Sequence, residues 1–250
     1  MKKYGLLCAG VLLMGTSLSF AQAKPDSVCE INVTTPKPGA AKAFEAARTK
    51  HNDFHKAEKD KHAIMVWEIT TGPATGKYLT ATCGMTWKDF DGNDAMDQRD
   101  AADRMKTMAP TVESNEASYY VYRADLSNGT EGGAPAKMMT VVHFFVKPGS
   151  TMQFTDSVKR INAANAQTKS AAKPARWYAL ANGGMGPHFV QVIDRNSWAD
   201  MQWPDKTLAD TLKEAYGDAD KTLQTVRDAI DHTVSELLEY HPEMSYIPAK

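Results

Sequence analysis

A chain of 250 residues with 29 basic against 30 acidic side chains cannot bind nucleic acid through bulk positive charge. Its content of 42% apolar, 9% aromatic and 24% charged residues excludes intrinsic disorder, collagen and coiled coil, and leaves one large domain or two small ones. Three cysteines, with neither Cys-x-x-Cys nor a finger spacing, argue against a disulfide-stapled mini-protein and against a structural zinc site, and no metal is assigned.

Lys2 and Lys3 precede an uncharged apolar stretch from Gly5 to Phe20, and Ala21-Gln22-Ala23 has the small-x-small pattern of a cleavage site. Residues 1–23, with Cys8, are read as a secretory signal cut after Ala23, which addresses the chain to the periplasm or the exterior. The stretch falls short of the roughly 20 residues of a membrane span and no later window approaches that length, so no membrane contact is expected after cleavage. Loss of Lys2 and Lys3 leaves 27 basic and 30 acidic groups, a formal charge of −3.

The rest of the chain repeats itself. A shift of 110 positions without a gap places Lys37-Pro38-Gly39 on Lys147-Pro148-Gly149, Phe44 on Phe154, Asn52 on Asn162, Lys59 on Lys169, Trp67 on Trp177 and Gly76 on Gly186. Eight of the 46 pairs from 37 to 82 are identical, mostly in rare or structurally special residues, which marks an internal repeat. The ends match at a displacement of 118, Tyr122-Arg123-Ala124-Asp125-Leu126-Ser127 on Tyr240-His241-Pro242-Glu243-Met244-Ser245, so the second copy holds about eight extra residues in its later helical part.

In chain order, 28–34 reads as a strand ending at a Lys-Pro-Gly turn, 38–59 as a helix, 62–70 and 78–85 as two strands about a Gly-rich turn, 87–109 as a helix and 118–124 as a strand. The second copy gives a strand over 138–146, a helix over 149–170, strands over 176–180 and 188–194, helix over 197–238 with a break at Gly217, and a strand over 236–241. The order is β-α-β-β-α-β twice: a first ferredoxin-like repeat over 24–126, a linker over 127–136 containing Asn-Gly, Gly-Gly and Pro, and a second repeat over 137–250.

A four-stranded sheet with helices on one face must bury its other face. Two such sheets in one chain do so by packing sheet to sheet, and here the chain resembles the dimeric α+β barrel superfamily in a fused, pseudo-dimeric form. The resemblance rests on the two Lys-Pro-Gly turns with Phe five positions on, Trp in each second strand, and the closing Tyr-x-x-acid-Leu/Met-Ser. It covers nearly the whole chain after the signal. It implies an α+β fold, and a place among cofactor-free monooxygenases similar to those of antibiotic biosynthesis, NIPSNAP-like proteins and haem enzymes of the chlorite-dismutase type. Fold alone does not choose among them.

Period-2 alternation separates the sheet faces. Cys29, Ile31 and Val33 with Met139, Val141, His143 and Phe145 form an apolar set expected under the helices. The opposite parity, Glu30, Asn32, Glu68, Thr80, Thr82, Arg176, Tyr178 and His188, is expected in the barrel interior. Glu30, Asn32, Glu68, Arg176, Tyr178 and His188 are accordingly the candidate contacts of a small-molecule pocket. His51 and His55, spaced i, i+4 without an intervening Glu and with Ile161 and Asn165 as their counterparts, are read as a solvated or locally packed pair. His143 and His188 are the positions where a haem-binding relative would place an axial ligand.

No Gly-x-Ser-x-Gly, catalytic cysteine pattern or phosphate loop occurs, and Gly183-Gly184-Met185-Gly186 joins two strands as a turn. The expected function is an exported small-molecule binder or cofactor-independent, monooxygenase-like enzyme without a bound cofactor. The alternatives are a non-catalytic periplasmic scaffold, favoured by an interior packed shut, and a haem enzyme. Self-association into a homo-oligomer is compatible with either. After signal cleavage Cys29 and Cys83 remain, one beginning the first strand and the other ending the third, its antiparallel neighbour in a 4-1-3-2 sheet, and a disulfide between them is expected.

Overall fold

Each repeat opens with the same local device. Lys-Pro-Gly supplies the fixed φ of proline and then a positive φ, +75° at Gly39 and +84° at Gly149, and the turns close with Ala40 N–H donating to Lys37 O at 2.9 Å and Ser150 N–H to Lys147 O at 3.0 Å. The computed structural model describes residues 26–92 and 94–248, so the signal read over residues 1–23 lies outside the described residues.

The first repeat contains β1 (Val28–Pro36), α1 (Ala41–Glu58), β2 (Met65–Ile69), β3 (Tyr78–Met85), α2 (Asp94–Thr107) and β4 (Val112–Tyr122). The second contains β5 (Met138–Val146), α3 (Thr151–Gln167), β6 (Arg176–Asn182), β7 (His188–Arg195), α4 (Leu208–Tyr216), α5 (Asp220–Ala229) and β8 (Ile230–Tyr240). All neighbouring strands are antiparallel, and they close into one eight-stranded barrel in the order β1-β3-β2-β8-β5-β7-β6-β4. Each repeat keeps the 4-1-3-2 order, and β2–β8 and β4–β6 are the two seams.

Three apolar cores follow. Phe44 of α1 packs with Val66, Tyr78 and Met244, while Phe154 of α3 packs with Val158, Trp177 and Phe189. The third cluster, with Trp67, Ile69, Ala81, Met139, Val141, Val190 and Leu238, lies inside the barrel.

The gapless 110-residue shift holds for the first strand and helix only. Val66 pairs with Thr80 and Trp177 pairs with Gln191, so the second and third strands are displaced by 111. The extra residue falls after the left-handed Lys59 and Lys169, which cap α1 and end α3 at φ of 53° and 50°. One residue reverses every side chain of a strand. Trp67 and Trp177 therefore occupy equivalent strands but opposite faces, and the structural counterpart of Trp67 is Tyr178. The seams agree: Trp67 and Tyr240 have ring centroids 5.6 Å apart, and Tyr178 and Tyr122 5.5 Å.

The helix expected over 197–238 ends at Ala229, and 230–238 is strand paired along the length of β5. Of the eight extra residues of the second copy, one falls after Lys169 and the other seven lie in the two-helix α4–α5 connection that replaces α2, where Gly217 in the left-handed region ends α4.

Cys29 and Cys83 form a disulfide with S–S 2.05 Å, Cα–Cα 4.0 Å and a sequence separation of 54. With the third strand displaced by 111, the pair's counterparts are Met139 and Asp194, which are register partners.

Candidate functional site

The barrel interior encloses a cavity of about 700 Å³. It is not packed shut. Its walls are largely apolar, with Ile31 and Val33 from β1, Met65 and Trp67 from β2, Leu79 and Ala81 from β3, Met139 and Val141 from β5, and Val190 and Val192 from β7.

The sequence-based faces are thus inverted for β1 and β5: Cys29, Ile31, Val33, Met139, Val141, His143 and Phe145 point into the barrel. Glu30, Asn32 and Glu68 lie on the outer face. Asn32 Nδ2 donates to Glu30 Oε1 at 3.2 Å, Asn115 Nδ2 donates to Asn32 Oδ1 at 2.8 Å, and Glu68 stands 3.5 Å from His241 Nε2. The reason is local: Glu30, Asn32 and Glu68 are only partly buried on the outer face and keep polar partners there, whereas the alternate residues of β1 and β5 wall the interior with mainly apolar side chains. Arg176, Tyr178 and His188 do share the inward parity of β6 and β7.

Arg176 and Asp194 form a bidentate pair at 3.0 and 2.6 Å. Glu131-Gly132-Gly133-Ala134-Pro135-Ala136 of the linker lines the same cavity, with Glu131 held by the Ser27 hydroxyl. Burial, reinforced by the charge of Glu131, holds the Tyr178 hydroxyl above the ordinary tyrosine range.

A second polar group runs through the wall contributed mainly by the second repeat. Glu236 Oε2 of β8 lies 3.5 Å from His143 Nε2 of β5. His143 Nδ1 lies 3.1 Å from His188 Nε2 of β7, and His188 Nδ1 lies 3.3 Å from the Tyr120 hydroxyl of β4. One tautomer set satisfies all three contacts: Tyr120 donates to His188, His188 to His143 and His143 to Glu236. Tyr120, His143 and Glu236 border the cavity, and Glu236 is a buried carboxylate, 8% exposed. The β2–β3 loop seats it. Thr70 N–H donates to Leu237 O at 2.8 Å, and a Cβ on Gly72, whose φ is +87°, would stand 2.9 Å from Glu236 Cγ.

The His188 ring stacks on Phe145 at 4.4 Å between centroids, and Phe145 stacks on His232 at 4.2 Å. Burial first, and then the neighbouring His143 and His232, lower the pKa of His188 to about 4. At neutral pH its imidazole is uncharged. Because the unfolded chain takes up the proton near pH 6.5 and the folded chain only near 4, folding stability should be full above about 6.5 and fall by about 2 to 3 kcal/mol as pH drops to about 4. Urea unfolding across this range checks it: His188→Gln should flatten the slope, and an unchanged slope would contradict the assignment.

The relay is absent from the other half of the pseudo-dimer, where the counterparts of His143, His188, Glu236 and Tyr120 are Val33, Lys77, Ser118 and Leu238. Haem would have to compete with the relay for these residues. Both nitrogens of His143 and both of His188 are engaged within the relay, His188 is covered by Phe145, and Arg176 is committed to Asp194. To serve as an axial ligand either imidazole would have to give up a relay contact, and His188 would also have to leave Phe145.

Glu236 and Tyr120 were not legible as site residues from the sequence. The stretch around Glu236 reads as helix, which hides its period-2 relation to Val234 and Leu238. A strand reading of 230–240 would have placed all three on one face.

No protein-family profile matches the chain, and no curated protein matches it in sequence. Solved structures do. An anthrone oxidase-like protein superposes with a TM-score of 0.56 at 12% identity, over 91% of this chain and 95% of that one. A protein of Lactobacillus acidophilus NCFM provisionally described as a monooxygenase gives 0.53 at 8%, over 90% and 97%. A single-site variant of the chlorite dismutase of Candidatus Nitrospira defluvii gives 0.53 at 11%, over 86% and 92%. At such identities the likeness is one of fold, and the fold is the dimeric α+β barrel in fused form.

Proposed function

We propose that the barrel binds a small, mainly apolar molecule carrying one acidic O–H or activated C–H bond, and oxidises it with dioxygen without a bound cofactor. The observation that carries this reading is the buried chain Glu236–His143–His188–Tyr120 bordering an open apolar cavity of about 700 Å³. A scaffold has no need of a buried carboxylate, which costs desolvation free energy, beside such a space.

The chemistry balances with the substrate as reductant. A methylene flanked by two activating groups gives one of its two protons to the His143–Glu236 end of the relay. The carbanion then forms a C–O bond to dioxygen, and the relay returns the proton to the terminal peroxide oxygen. The resulting secondary hydroperoxide loses one molecule of water, made from its remaining C–H hydrogen and its O–H group, as the O–O bond breaks. A ketone is left. One methylene compound and one dioxygen thus become one ketone and one water, the carbon oxidised and the dioxygen reduced by four electrons. The apolar walls exclude bulk water from the carbanion and the neutral His188 passes protons without holding charge.

Anthrone is a suitable probe because its methylene is acidic and its rings are flat and apolar. The full chain, freed of metals by chelation, should consume one dioxygen per anthrone at a rate well above the buffer control. A rate equal to the control with anthrone and with 2-naphthol would overturn the oxidase reading. We further read the protein as acting in an oxidising compartment, a reading supported by the disulfide together with the signal-like residues 1–23.

A further inference from the structure

We propose that His51, His55 and Asp100 form a divalent-cation site, suited to zinc, that clamps α2 onto α1 on the outside of the barrel. This proposal does not depend on the function of the cavity. The three ligand atoms lie within 4.8 Å of one another. His51 Nε2 is 3.0 Å and His55 Nε2 3.8 Å from the same atom, Asp100 Oδ1. Tetrahedral ligands about 2.1 Å from zinc stand about 3.4 Å apart, so the spacing requires little movement.

The arrangement behind the ligands points the same way. His51 Nδ1 is held by Asp103 at 2.6 Å and His55 Nδ1 by Asp60 at 3.1 Å, so a carboxylate orients each ring and turns its Nε2 toward Asp100. That is the carboxylate–histidine pattern that positions imidazoles on a metal. Arg104 takes the other oxygen, Asp100 Oδ2, at 3.0 Å, while Oδ1 is buried and accepts no hydrogen bond. Both histidines are buried, 2% and 5% exposed, so of the two readings their spacing allows, a solvated or a locally packed pair, they are the packed one. Three carboxylates, Asp60, Asp100 and Asp103, and the guanidinium groups of Arg48 and Arg104 surround the two imidazoles.

The fold gives the clamp something to do. None of the described side chains of α2 is buried, and ion pairs tie it to α1: His51 with Asp100 and Asp103, and Arg99 with Glu58 at 2.6 Å. In the second repeat, where Ile161 and Asn165 replace the histidines, the corresponding connection buries Leu212 and Ala229 instead. The second half holds its outer helices by apolar burial, and the first half by this cluster. No cysteine takes part, which is why cysteine spacing gave no sign of it.

The test is equilibrium dialysis of the chelator-treated full chain against zinc chloride, with bound metal measured by atomic emission. One zinc per chain is expected, with affinity about 100-fold weaker in Asp100→Asn and His55→Gln and about 10-fold weaker in Asp103→Asn. In the unmodified chain zinc should also slow amide exchange across 94–107 at least about tenfold. No zinc bound by the unmodified chain, unchanged affinity in Asp100→Asn and His55→Gln, or unaltered exchange in α2 would each overturn the proposal.

Discussion

Replacement of Glu236 by glutamine is expected to lower turnover of anthrone by about 100-fold or more without loss of stability. The carboxylate is 8% exposed and its ion-pair contact among the described residues, to His143 Nε2, is long at 3.5 Å. Such a buried charge is weakly compensated, so an isosteric amide relieves desolvation and should leave the unfolding midpoint unchanged or higher. Removal of the proton acceptor affects only the chemical step, so probe affinity should stay within about threefold while kcat falls. His143→Gln should show the same split with a smaller loss, since it breaks the relay but keeps the carboxylate. Steady-state oxygen uptake with parallel urea unfolding separates the outcomes. A Glu236→Gln variant that is less stable and fully active would place the carboxylate in the structure of the barrel and outside its chemistry.

The second large effect is on folding. The Cys29–Cys83 bond joins β1 to β3 across a sequence separation of 54, and in the chain-entropy treatment a loop of that length stabilises the fold by about 4 kcal/mol. Cys83→Ala should therefore lower the unfolding free energy by roughly that amount. Reductant should bring the unmodified chain down to the same value and leave the variant where it is. Two free thiols titrated in protein unfolded without reductant would contradict the bond.

Topology was readable because each boundary carries its own local cause. Lys-Pro-Gly fixes the strand-to-helix corner twice, Phe44 and Phe154 mark the buried faces of α1 and α3, and Gly217 stops α4. Facing was harder, since it depends on a residue count and not on residue type. One extra residue after Lys169 moves Trp177 under α3, while Trp67 stays in the barrel, and nothing in the pair of tryptophans reveals it. The same sensitivity reversed β1: Glu30 and Asn32 are polar enough to suggest a ligand-facing row, yet they reach water on the outer face.

The site was legible in part. His143 and His188 stood out as strand histidines, and Arg176 and Tyr178 share their interior. The relay needed strands from both halves of the chain, because Tyr120 reaches His188 only after β4 of the first repeat pairs with β6 of the second. Spacing in sequence does not report contacts made by barrel closure. The linker likewise read as a connector, and only the closed barrel shows its residues 131–136 bordering the cavity.

Whether the cavity is a binding site or a packing defect is tested most directly by filling it. Ala81 lies inside, 5% exposed, on the wall shared with Trp67. Calorimetric titration of the full chain with 2-naphthol, an apolar ring system bearing one acidic hydroxyl, should give one site with micromolar affinity and quenching of Trp67 emission. In Ala81→Phe the affinity should fall at least about tenfold, which corresponds to about 1.4 kcal/mol. Equal affinity in the two proteins, or no binding by the unmodified chain to 2-naphthol or to anthrone, would contradict a binding site in the barrel.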